Sequence, residues 1–139
     1  MSEFQYKAGL HSVGNYQVSG IPYVTGALTI PANTSAPLEI VFPSVTQRIH
    51  IHNNFGSDKP IRVGFSANGV KGTNYWLIEA HQANGKSNDR VEMRVKTDRI
   101  FLISDDASAL ASSTYVLAEL TGITGYNLAS GYSGSAGIG

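Results

Sequence analysis

The sequence contains no cysteine among its 139 residues. That excludes a disulfide framework, a thiolate zinc site and a cysteine nucleophile, and it leaves the redox compartment open. Charge is nearly as scarce. Asp, Glu, Lys and Arg make up 14% of the chain, against roughly 25% in an ordinary soluble globular protein. Ten basic and ten acidic residues cancel to a formal net charge of zero. Such a balance argues against a nucleic-acid binder driven by bulk phosphate attraction and against a polybasic membrane-surface protein. No apolar run approaches the roughly 18 residues of a membrane span. The opening MSEFQYKAGLHS lacks the basic-then-apolar pattern of a secretory signal, which predicts synthesis and folding in a cytoplasm. With little like-charge repulsion to hold copies apart, self-association is an expectation from composition alone.

What the chain does have is apolar residues, at 42%, and polarity supplied by Gly, Ser, Thr and Asn. The length suits one domain, since two separate cores would each be undersized. Three zones are visible. Residues 1–25 are rich in Tyr, Gly and Ser, without a sustained period, and read as an N-terminal arm. Residues 26–123 carry short apolar runs between turn residues. Residues 124–139, TGYNLASGYSGSAGIG, carry no charge and read as a C-terminal arm.

The middle zone reads as strand after strand. Leu38, Ile40 and Phe42 share a face until Pro43 stops the run. Ile49 and Ile51 oppose Arg48, His50 and His52, and Ile61, Val63 and Phe65 oppose Arg62 and Gly64. Val91, Met93 and Val95 alternate with Glu92, Arg94 and Lys96, which predicts the first set inward and the second outward. Further strands are expected over 26–32, 75–81, 99–104 and 113–123, and 105–112 is expected to be a loop. The run YWLIEAH at 75–81 is apolar enough to be covered on much of both faces, with Trp76 in the core. About eight strands at spacings near 10–12 residues predict an all-β, antiparallel, jelly-roll-like sandwich with extended terminal arms. An immunoglobulin-like strand order stays open, although the missing Cys–Trp–Cys set counts against it.

Residues able to carry chemistry are few. His50 and His52, two apart on a strand, project from one face as a pair of metal ligands would. A third ligand would have to come from His81 or a distant acid, and the neighbouring Arg48 disfavours a cation. The expectation is therefore no metal and no cofactor. A cupin-like enzyme on His50, His52 and His81 is weakened by the missing carboxylate of a His-x-His-x-Glu pattern. Glu39, Glu79, Glu92 and Glu119 read as single outward carboxylates, and Asp105–Asp106 as a solvated turn rather than an acid/base dyad. The stretch Gly69 to Thr73 echoes half a phosphate loop but lacks its leading glycine and spacing. No strand-to-helix nucleophile elbow is present. These absences predict a protein without catalytic residues.

The aromatics point elsewhere. Tyr6, Tyr16, Tyr23, Tyr126 and Tyr132, five of the seven tyrosines, fall in the two terminal zones. Tyrosine offers a large apolar face and a hydroxyl at low entropic cost, which suits an interface. These five are the candidate assembly residues. A second reading is a carbohydrate-binding sandwich, with Trp76, Tyr75 and the polar loops near Asn68 and Asn84 as a sugar platform.

The arm GLHSVGNYQVSGIPYVTG (Gly9 to Gly26), the strand-rich body, and YVLAELTGI followed by a Gly/Ser tail together resemble a group of small all-β virion proteins. These are the single-jelly-roll penton, vertex or capsid-decoration proteins of double-stranded DNA viruses and phages. The resemblance implies a structural virion protein, made in a host cytoplasm and resident in the capsid. Its arms would run under or into neighbouring subunits, which gives residues 1–25 and 124–139 an assembly role. Its partners would be further copies of itself, a pentamer first and a trimer second, the major capsid protein and other virion proteins. The resemblance implies no catalytic residue, no direct nucleic-acid contact and no membrane span. The alternative it leaves is the carbohydrate-binding module of a viral fibre or spike.

Overall fold

The computed structural model describes residues 21–81 and 88–122. Eight strands run through them: β1 (Ile21–Ile30), β2 (Leu38–Val41), β3 (Thr46–Asn53), β4 (Ile61–Gly64), β5 (Trp76–Ile78), β6 (Arg90–Met93), β7 (Arg99–Ser104) and β8 (Leu110–Leu120). One short helix, α1 (Ala67–Lys71), joins β4 to β5. Among the described residues no helix is long and apolar enough to cross a membrane.

The strands form two antiparallel sheets of four, ordered β1-β8-β3-β6 and β2-β7-β4-β5. The first strand pairs with the eighth, the second with the seventh, the third with the sixth and the fourth with the fifth. The chain is thus one long hairpin, tipped by α1, rolled up so that β3 also meets β8 and β4 also meets β7. That is the jelly roll, and it settles the strand order that the sequence left open.

Alternation sets which face goes inward. On β3 and β7, Ile49, Ile51, Ile100 and Leu102 are fully buried, while Arg48, His50 and His52 take the outer side of β3. Ile30, Ile61, Ile78, Leu110 and Leu120 close the same core. Val91, Met93 and Val95 pack against it half-buried, with Glu92, Arg94 and Lys96 exposed, so the inward set is as the alternation predicts. Their incomplete cover follows from position, because β6 is an edge strand.

Four features differ from the sequence reading. β8 begins at Leu110, inside the stretch 105–112 expected to be a loop, because Leu110 pairs with Ile30 and is buried with it in the core. β1 starts at Ile21, so Tyr23, read as an arm residue, belongs to the sandwich and packs edge-on against Phe42 at 5.1 Å. The reason the alternation is hard to see is a bulge: pairing slips between Thr25 and Leu28, where Ala27 takes a left-handed φ of 53°. α1 was not expected over the Asn68–Gly69 turn. Ser66 caps it by accepting from the Gly69 N–H at 2.9 Å, and its Val70 is fully buried. The helix packs on β4 and β7, which buries Ile103 on the face opposite Leu102. It can lie that close because residue 64 is glycine: a Cβ there would meet the Val70 Cβ at 3.0 Å and the Asn74 carbonyl at 3.1 Å. Finally, Trp76 is 66% exposed rather than a core residue. Its register opposite the buried Val63 aims it inward, but β5 is an edge strand three residues long. An edge strand has no further strand beside it to cover an indole.

Candidate functional site

Strands β5 and β6 are the facing edges of the two sheets, and among the described residues the seam between them is open. Asn53, at the end of β3, is fully buried there and ties the two edges together. Its backbone N–H donates to the Asp89 carbonyl at 2.7 Å and its carbonyl accepts from the His81 N–H at 3.1 Å. Its side-chain amide donates to the carbonyls of Lys59 and Ile78. This knot brings His52 from the outer face of β3, His81 from just beyond β5 and Asp89 from just before β6 into one cluster.

Within the cluster, His81 Nδ1 donates to Asp89 Oδ2 at 2.6 Å, and His52 Nδ1 lies 3.6 Å from the same oxygen. The ligand-capable atoms of all three side chains lie within 4.8 Å of one another. The His81 hydrogen bond holds the Asp89 carboxyl below the ordinary carboxylate range; burial opposes this, and its own backbone N–H and the neighbouring His52 and Arg90 add to it. His52 Nδ1 is buried with no hydrogen-bond partner. A buried polar atom in that condition loses its hydration without a replacement.

Further along the seam, Val63, Phe65, Val91 and Met93 form the floor of an open cleft of about 440 Å³. Thr73, Asn74, Tyr75 and Trp76 form its rim. Arg62 lies 4.4 Å from the centre of the Tyr75 ring and donates to Asp105 Oδ1 at 2.6 Å, which fixes that side of the rim.

The outer face of the first sheet presents a third feature. Val24 and Leu117 face each other across β1 and β8 and are 72% and 42% exposed. Tyr115, 44% exposed, lies beside them and over Gly26, where a Cβ would stand 2.6 Å from its ring. This apolar strip is bordered by Arg48, which binds Glu92 at 2.8 Å and Glu119 at 3.1 Å.

Compared with protein-family models, curated proteins and solved structures, the chain matches none. The reading of the site therefore rests on its own geometry.

Each residue singled out in the sequence can now be placed. His50 and His52 share the outer face of β3, but only His52 reaches the cluster; His50 stands opposite Glu92 and Leu117. His81 joins His52, and the distant acid is Asp89. The outward carboxylates Glu39, Glu92 and Glu119 each hold an arginine. Asp105 and Asp106 take separate cations, Arg62 and Lys59, and so make no dyad. Gly69 to Thr73 belong to α1 and its exit, with a packing role through Val70. Of the tyrosines in the terminal zones, Tyr6, Tyr16, Tyr126 and Tyr132 lie outside the described residues, as does Asn84. The sequence reading missed Asp89 and Asn53. The one local signal was the Asn88–Asp89 pair just before an alternating strand, which also marks an ordinary turn.

Proposed function

We propose that the protein is a structural virion component, a capsid vertex (penton) or decoration protein that oligomerises and joins neighbouring capsid subunits through its terminal arms. The jelly roll supports this by analogy, since capsid subunits use it, but lectins and cupins use it too. The observation that carries the reading is the exposed strip of Val24, Leu117 and Tyr115. Large apolar side chains side by side on the outer face of a sheet cost solubility unless something covers them. A neutral chain with few charges has no repulsion to prevent another copy from doing so. Closed rings satisfy such a surface, five copies first and three second. The test is native mass spectrometry of the full chain, with proteomics of purified particles from the source. A discrete ring that Leu117→Asp dissociates, and the protein's presence in particles, are the expected results. A monomer at every concentration, absent from particles, would end this reading.

A second reading, a carbohydrate-binding module of a fibre or spike, is favoured by Trp76. An exposed indole beside Tyr75, with Asn74 and Thr73 on the same rim, offers a stacking face with polar groups at its border. A glycan array on the wild type and on Trp76→Ala decides it. Binding lost in the variant supports the reading, and no binding by the wild type removes it.

A further inference from the structure

We propose that His52, His81 and Asp89 form a binding site for a zinc-type divalent cation that clips the two sheets together at their open seam. The expectation from sequence was that no metal binds; the cluster overturns its premise, because the missing third ligand is supplied by Asp89. Two imidazoles and one carboxylate are a complete three-residue ligand set for Zn²⁺, with a fourth position left to solvent. The same donors suit Co²⁺ and Ni²⁺ and do not suit Mg²⁺ or Ca²⁺, which demand oxygen.

The distances fit. Donors about 2.0–2.1 Å from a tetrahedral zinc stand about 3.3 Å apart. The observed separations from Asp89 Oδ2, 2.6 Å to His81 and 3.6 Å to His52, lie on either side of that value. The cation would replace the proton now shared by His81 and Asp89, and the half-exposed His81 ring has room for the small rotation this needs. The ion would also satisfy His52 Nδ1, the buried atom that has no partner. Among the described residues, Arg90 is the cation beside Asp89. It lies 3.6 Å from Oδ1, the other carboxylate oxygen, and is largely exposed, so it does not compete with the metal for Oδ2.

The support beneath the ligands is of the kind that metal sites use. Asn53 fixes the backbones of both His81 and Asp89, so two of the three ligands are positioned before any ion arrives. The three ligands come from the end of β3, the exit of β5 and the entry to β6. A bound ion would therefore bridge the sheets where their edges are least covered. This inference is independent of the virion reading, because it concerns the seam and not the outer strip.

The experiment uses the full chain, loaded with Zn²⁺, desalted, and analysed by elemental mass spectrometry, with melting followed in the presence of zinc and of chelator. One zinc per chain is expected, with a higher Tm that chelator reverses. His52→Ala and Asp89→Asn should each weaken binding by more than about tenfold, while His50→Ala, on the same face two residues away, should bind as the wild type does. Co²⁺ titration monitored by visible absorbance gives a second readout of the imidazole-carboxylate environment. If Asp89→Asn does not fold, His52→Gln with the same readouts takes its place. No zinc retained by the wild type overturns the proposal. So does equal retention by the wild type, His52→Ala and Asp89→Asn.

Discussion

The two sheets present opposite solutions to the same problem. Each must hide one face in the core, and each has a second face to dispose of. The sheet β2-β7-β4-β5 covers part of its outer face with α1, which buries Ile103 beneath Val70, and ties charges across the rest through Arg62–Asp105 and Arg99–Glu39. The sheet β1-β8-β3-β6 has no such cover among the described residues. It shows Val24, Leu117 and Tyr115 to solvent beside histidines and a single arginine network. Among the described residues, one sheet is covered by its own chain and the other is left open. The contrast teaches that function is to be sought on the first sheet and at the seam where the two edges meet.

Substitution can break this comparison directly. The largest effect is expected at Ile103→Asp, which buries an unpaired charge under α1 and should cost about 4 kcal/mol or more, read from denaturant melts. The matching change on the other sheet, Leu117→Asp, should stay within about 0.5 kcal/mol of wild type because it faces solvent, and should act instead on oligomer size. Equal destabilisation by the two would erase the distinction between the sheets.

Next in size is the edge strand β6. Met93→Asp should cost about 2–3 kcal/mol, since Met93 is half-buried, whereas Arg94→Ala should cost under about 1. Similar thermal midpoints for the two variants would contradict the register of β6.

The glycines give a finer comparison. Gly64→Ala must push against the Val70 Cβ and a backbone carbonyl, neither of which can swing away, and should cost about 1–2 kcal/mol. Gly26→Ala meets only the exposed Tyr115 ring, which can turn aside; it should cost less than about 1 kcal/mol and raise tyrosine exposure, seen by fluorescence quenching. Smallest of all, Ala27→Gly should stabilise by about 0.5–1 kcal/mol, because alanine pays for its left-handed φ at the β1 bulge. A loss of stability there would show that the Ala27 methyl contributes more by packing than its left-handed φ costs.

Much of the fold was legible because a half-buried strand writes its own alternation. Arg48 to His52 and Val91 to Lys96 show it without error, whereas the bulge in β1 hides the start of that strand. The site was less legible, and for a physical cause. Whether Trp76 is covered depends on whether a further strand lies beside β5, which no local pattern records. His52, His81 and Asp89 meet only because β3 pairs with β6 and the seam brings β5 alongside. Two of its three members, the histidines, could be named from sequence; the carboxylate could not, because Asn88–Asp89 reads as a turn wherever it occurs. α1 escaped for the reverse reason, since five residues containing Asn68–Gly69 carry too little helical signal to outweigh a turn.

The rolled hairpin also governs how the molecule is made. The tip, β4 to β5, has short connections and can form while the rest of the chain is still on the ribosome. Each later pair must close a longer loop at a growing entropic cost. The last to form is β1 with β8, where Ile21 meets Leu120. Contacts of such separation fold slowly. β8 must therefore have been made before β1 finds its partner, and until then β1 and β3 offer unpaired backbone to any neighbouring nascent chain. A protein made in many copies at once would meet that hazard with every round of translation.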